Sequence, residues 1–307
     1  MQSNSHPQNI TKGLLWATLA SELWGISGTV LQYISQNLAI PATWFLSVRT
    51  LSAGIVLLII GAIIEGKRIF AIFIDWKLVG WLIAYSLFGL MANLYTFYMS
   101  VQKGNAAAAT ILQYLSPLFI VLGGLVILRR PMRSDLIAFA ISLVGLFLAI
   151  TKGNIHELSI PMDALIWGIL SGVTAACYVV LPRKIVEEHS PIVVLGWGML
   201  ISGVLFNIWH PVWVDAPQLN FKLVSSLAVV VIVGTILAFS VLLYSLNFAP
   251  SAVISIVDAV QPVVTFILSV IFLHVKLSWI EVLGSALIIL AIYVLQHFRE
   301  GNVEENI

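Results

Sequence analysis

The chain has 307 residues, of which 60% are hydrophobic and 9% charged, with a mean hydropathy of +1.03. Soluble domains carry about 25% charged residues, and this much apolar surface cannot be hidden inside a water-facing protein of this size, so lipid must be the solvent. A net charge of +1 gives no reason to expect a nucleic-acid partner, and the single cysteine, Cys177, permits no intramolecular disulfide and sits in no metal-binding pattern.

The first twelve residues form a polar tail, with Lys12 its one Lys or Arg. The apolar run that follows lacks a small-residue cleavage site, so it reads as a spanning helix rather than a signal peptide. A helix needs about 20 apolar residues to cross the hydrocarbon. Ten such runs are expected, at 13–34, 42–64, 75–99, 105–128, 134–151, 162–182, 192–209, 223–247, 250–273 and 278–297, followed by a short tail, 298–307. The breaks carry Pro, charges or amides, as at Asn37 to Pro41, Arg129 to Arg133, His210 to Pro217, and Lys276. The fold expected is therefore an all-α integral membrane protein of ten transmembrane helices.

Basic residues set the orientation. With a cytoplasmic N-terminus, ten Lys and Arg fall inside, among them Lys67, Arg68, Arg129, Arg130, Arg183 and Lys184. Four fall outside: Lys103, Lys152, Lys222 and Lys276. That bias places both termini in the cytoplasm. Five spans per half is an odd number, so the second half, 162–297, enters the membrane upside down relative to the first, 13–151.

The two halves share sequence. The run Gly104 to Pro117 recurs 145 residues later as Ala249 to Pro262, and Thr110, Gln113 and Pro117 match Ser255, Asp258 and Pro262. At the same offset Gly145 meets Leu290 and Gly284 meets Phe139, so each copy keeps a different glycine. Ala53-Gly54 and Ser202-Gly203 match at a slightly different offset.

Polar positions fall at helical spacing. Span 9 carries Ser251, Ser255, Asp258, Pro262, Thr265 and Ser269 on one face, and span 4 carries Ala106, Thr110, Gln113, Pro117, Ile120 and Gly124. Span 1 offers Thr18, Ser21 or Glu22, Gly25, Gly28 or Thr29, and Gln32; span 3 offers Ser86, Gly89, Asn93, Thr96 and Ser100; span 6 offers Trp167, Ser171, Thr174 and Tyr178. Such seams either let helices approach closely or line a cavity. Pro117 and Pro262 each free a backbone carbonyl inside a helix, which makes them candidate helix breaks for gating, or packing bends.

Three ionisable residues lie deep in spans: Glu22, Arg49 and Asp258. Each costs roughly 2.5–3.5 kcal/mol at the bilayer centre on insertion scales, which makes a functional role the default. A carboxylate can exchange a proton, or bind a substrate ammonium while Arg49 binds a carboxylate. The competing structural reading is an ion pair between Arg49 and Glu22 or Asp258. Trp24 and Trp167 fall within spans and can stack on a substrate, and the hydroxyls of Tyr114 and Tyr178 need partners inside the bundle. The candidates for substrate binding or coupling are thus Glu22, Trp24, Arg49, Asn93, Thr110, Gln113, Tyr114, Trp167, Tyr178, Ser255 and Asp258.

Two five-helix halves, an Ala-rich start and a deep proline in the fourth helix of each, Leu23-Trp24-Gly25 in span 1 and an arginine in span 2 together resemble the EamA family of the drug/metabolite transporter superfamily. The resemblance implies ten-helix secondary carriers, many of them exporters of amino acids and other small metabolites. It also implies a central cavity formed largely by helices 1, 3, 4, 6, 8 and 9. The Gly-Glu pair often found after helices 4 and 9 of the family is replaced by Arg129-Arg130 and His274-Val275, and Glu22 is not part of the family pattern.

No Walker A pattern, HExxH or GxSxG motif occurs, and the six histidines lie in tails, loops or span ends. The expectation is a carrier rather than an enzyme, without cofactor or metal, as a monomer or homodimer in the cell membrane. It would move a small metabolite by alternating access, in the direction of export, with protons as a candidate coupling partner. A lipid flippase is the alternative; it needs a lateral opening and a basic headgroup pocket, for which Arg49 alone is thin support.

Overall fold

The computed structural model describes residues 10–126, 133–152, 154, 158–245, 248, 260–276 and 278–304, and every regular element among them is helical. Among the described residues, seven helices are long and apolar enough to cross a membrane: α1 (Thr11–Asn37), α2 (Ala42–Phe73), α3 (Trp76–Lys103), α4 (Ala106–Gly123), α6 (Met162–Val186), α7 (Pro191–Trp209) and α8 (Phe221–Leu242). Three apolar helices are shorter: α5 (Ile137–Thr151), α9 (Val260–Leu273) and α10 (Trp279–Ala291). The outer faces carry Leu15, Ile63, Phe221 and Phe272, the surface of a bundle solvated by lipid. Helix starts are set by side chains that satisfy orphan amides: Asp75, Asn105 and Asn220 accept from Lys77, Ala108 and Leu223. Gly66, at φ 61°, turns α2 into its 3₁₀ end, where Ile69 O accepts from Trp197 Nε1.

The packing maps onto itself when the halves are exchanged. α2 lies along α7 and α5 along α10, while α3 on α6 mirrors α8 on α1, and α4 on α6 mirrors α9 on α1. Small residues make the first two crossings close. A Cβ on Gly54 would sit 2.5 Å from Leu200 N, and one on Gly203 would sit 2.8 Å from Leu51 N. The same small pair, shared by the two halves in sequence, thus forms both sides of one reciprocal crossing.

Besides the end of α1, Tyr33–Asn37, two π-helical stretches lie within spans, Tyr85–Met91 in α3 and Val229–Leu237 in α8. The stretches of α3 and α8 hold Gly89 and Gly234, which are 145 positions apart, the offset of the repeat. Each glycine receives a helix of the other half: Gly89 faces the Tyr178 backbone of α6, and Gly234 faces Ser27 of α1. Such bulges are uncommon and concentrate at functional sites.

Many of the polar seam residues serve packing. Ser100 Oγ donates to Ala164 O, Thr96 shares a hydrogen bond with Thr174, and Ser202 Oγ reaches Ser86 O. Thr18, Ser21 and Thr29 bond back to their own helix. Thr265 lies against Gly28. In α4 the helix breaks before Pro117: Ala106–Gln113 ends, Tyr114 and Leu115 form a turn, and Ser116–Val126 resumes. Pro262 lies in the first turn of Val260–Leu273, and the residues just before Val260 lie outside the described ones.

Candidate functional site

A cavity of about 950 Å³ runs through the bundle, a size suited to a small organic ligand. Its lining comes from α1, α2, α3, α4, α6, α7, α8 and α10, with Gln261 from α9. At one end it reaches exposed side chains, Arg183 in the last turn of α6 and Leu290 and Tyr293 on the last helix. At the other it stops at Leu31 on α1 and Phe97 on α3.

Just beyond Leu31 the bundle is shut by amides. Gln32 Oε1 accepts from the Ala106 amide at 2.8 Å, and Gln32 Nε2 donates to Gln36 Oε1 at 3.0 Å. Gln36 Nε2 in turn donates to Val101 O at 2.9 Å and Gly104 O at 2.7 Å. The relay satisfies orphan groups at the end of α3 and the start of α4, which helix geometry leaves unpaired. It is presented by the π-helical end of α1, Tyr33–Asn37. Tyr98 Oη donates to Ile40 O at 2.6 Å, and Lys103 pairs with Asp163 at 3.7 Å across the same end.

Arg49 lines the cavity near this shut end. Its Nη2 reaches Thr235 Oγ1 at 3.4 Å, while its Nε is buried without a hydrogen-bond partner. A guanidinium with an unused buried donor is suited to an anionic group of a ligand. Across the cavity, Gln113 Nε2 donates to Asn93 Oδ1 at 2.9 Å and to Ser171 Oγ at 3.2 Å. Tyr114 Oη donates to Gln261 Oε1 at 3.2 Å, a contact between the two repeat-related helices α4 and α9. Trp24 stands edge-on to Phe239, and both rings line the space.

The structure therefore gathers Trp24, Arg49, Asn93, Gln113, Tyr114, Pro117 and Tyr178 around one cavity. Glu22 is not in the lining; it is half-buried in the outward row of Leu15, Leu19 and Ile26, spaced 4, 3 and 4 along α1. Among the described residues it forms no ion pair with Arg49. Thr110 is buried and bonds back to Ala106 O, Trp167 stands edge-on to Tyr95, and Pro262 is buried outside the lining. Ser255 and Asp258 lie outside the described residues. Arg183, Ser116, Gln261 and Phe239 join the lining without having been singled out from the sequence. Ser116 and Gln261 had a usable signal: they match at the repeat offset, each one residue before a deep proline.

Comparison with known proteins adds four findings. The pattern of the EamA-like transporter family matches residues 11–151 and again 162–296. The uncharacterized inner membrane transporter YicL of Salmonella typhimurium is 31% identical over 286 residues, covering 92% of this chain and 95% of that one. The threonine/homoserine exporter RhtA of Escherichia coli K12 is 24% identical over 198 residues, 64% of each chain. A crystal structure of another protein matches 92% of this chain and 96% of its own at a TM-score of 0.61 and 18% identity, a likeness of fold.

Proposed function

This chain belongs to the EamA-like transporter family, and on that premise we propose that it is a secondary carrier of a small metabolite, an amino acid or related compound, working by alternating access in the direction of export. The observation that carries this reading is Arg49: a guanidinium with a free buried donor at the deep end of a cavity closed by the Gln32–Gln36 relay. The architecture proposed is ten spans in two inverted halves, 13–151 and 162–297, in the cell membrane with both termini cytoplasmic. On that orientation the mouth at Arg183 faces the cytoplasm and the amide-closed end faces outside, an inward-open state.

In this reading Arg49 holds the carboxylate of the substrate, Asn93, Gln113 and Gln261 offer amides to its polar body, and Trp24, Tyr114 and Tyr178 flank it. Asp258, aligned by the repeat with Gln113, is the proposed proton-exchanging group. Asp258→Asn should then flatten the pH dependence of transport, and a wild-type pH profile would count against coupling there.

The deciding experiment is counterflow in proteoliposomes with L-threonine, L-homoserine and L-phenylalanine. The expected result is protein-dependent exchange of at least one of them, lost in Arg49→Gln while the purified variant stays folded. No exchange of any of the three, or an Arg49→Gln variant as active as wild type, overturns the reading.

A further inference from the structure

Two guanidinium groups mark the two ends of the cavity, Arg49 near its shut end and Arg183 at its mouth. Arg183 opens the short helical turn Arg183–Val186 that follows Pro182 at the end of α6. Several other cations are already engaged. Lys184 lies over the Trp81 ring at 5.0 Å, Lys12 over Phe248 at 4.2 Å, and Lys103 and Lys152 pair with Asp163 and Glu281. Arg183 is exposed and, among the described residues, has neither an ion pair nor an aromatic platform. The described lining contains no carboxylate.

The walls beside Arg183 are apolar: Ala175, Val179, Leu242, Ile289 and Leu290. A single sign of charge in a cleft with low-dielectric walls focuses its field into the opening and raises the local concentration of the opposite ion. We propose that Arg183 is a capture site for the anionic group of the substrate, a first station at the mouth from which the anion passes inward to Arg49. The substrate class is then a small organic anion or zwitterion that leads with its carboxylate. This rests on the carrier reading above. A basic residue at this loop also serves membrane orientation, but Lys184 beside it keeps that charge when Arg183 is replaced.

Two measurements test the site. The first needs no substrate. In a Cys177→Ala background, Val179→Cys places a thiol on the mouth wall, and its reaction rates with anionic sulfonatoethyl and cationic trimethylammonium-ethyl methanethiosulfonates are compared. Arg183→Gln should lower the anion-to-cation rate ratio about threefold to tenfold, Arg183→Lys should keep it, and added salt should erase the difference. The second is inhibition of L-threonine counterflow by N-acetyl-L-threonine, an anion, and by L-threoninamide, a cation. Arg183→Gln should raise the inhibition constant of the first about threefold to tenfold, leave that of the second no higher, and preserve the maximal rate. An unchanged rate ratio, or a lowered ratio with an unchanged constant for N-acetyl-L-threonine, overturns the capture site. A lowered ratio in a protein that exchanges none of the amino acids supports the anion-selective mouth and overturns the carrier reading instead.

Discussion

Gly145 of α5 and Gly284 of α10 meet backbone to backbone: a Cβ on Gly145 would sit 2.7 Å from Gly284 O, and one on Gly284 would sit 2.5 Å from Gly145 O. The two glycines do not match each other in the repeat, yet they are the two halves of one contact. Helices in lipid gain their association from close van der Waals packing, and a side chain at either position removes it. Overpacking of this kind costs about 1–3 kcal/mol.

Gly284→Leu should therefore melt well below the wild type, read by intrinsic fluorescence of the purified protein on heating. Gly80→Leu is the control, because a Cβ on Gly80 meets nothing within 4 Å. Equal melting of Gly284→Leu and wild type would refute the contact's importance; a large loss in Gly80→Leu would mean that bulk anywhere on a helix is the cause.

The repeat made the helix pairs of the bundle legible, since the same small residues and prolines recur in both halves. Azimuth was harder to read than depth. Glu22 has the depth of a site residue, but its place in the row Leu15, Leu19 and Ile26 turns it outward. A period of 3.6 fixes which residues share a face and not which neighbour that face meets. The π-helical stretches of α3 and α8 left no mark in side-chain patterning, because they differ from an α-helix by one residue in a turn. In sequence Arg183 is one of the charges on the inner side, and nothing there shows that the end of α6 borders a cavity.

Glu22 accordingly yields a prediction of neutrality. Glu22→Gln should leave the substrate KM and the pH profile of counterflow unchanged. It should raise folded yield or thermal stability, because it removes an ionisable group from an outward face of α1. A shift in KM or in pH dependence would return Glu22 to the transport path.

Arg49 and lysine are not equivalent at this place. The guanidinium spans Thr235 Oγ1 with one nitrogen and leaves Nε for a ligand, a division of donors that a single ammonium cannot reproduce. Arg49→Lys should keep exchange detectable while raising the substrate KM roughly tenfold, about 1.4 kcal/mol. A lysine variant with wild-type KM would show that charge alone is recognised.

The amide relay is the part of the structure that must open if substrate is to leave at the far end. Gln36 donates to Val101 O and Gly104 O, accepts from Gln32, and makes a longer fourth contact, 3.4 Å, to Gln102 O. Intramolecular hydrogen bonds contribute about 0.5–1.5 kcal/mol each, so Gln36→Ala loosens this end by roughly 1.5–4.5 kcal/mol when the three shorter ones are lost. Removing contacts made in only one of two states shifts the population toward the other. A thiol at Phe97→Cys, at the inner edge of the relay, should then react faster with an impermeant thiosulfonate added from the relay side in Gln36→Ala than in the wild type. The rate from the Arg183 side should fall or stay constant. Gln36→Glu, which keeps the length but not the donor, should behave like Gln36→Ala, because the carbonyls of Val101 and Gly104 need an N–H. If both variants label as the wild type does from the relay side, the relay is a structural cap on α3 and α4, and the gate lies elsewhere at that end.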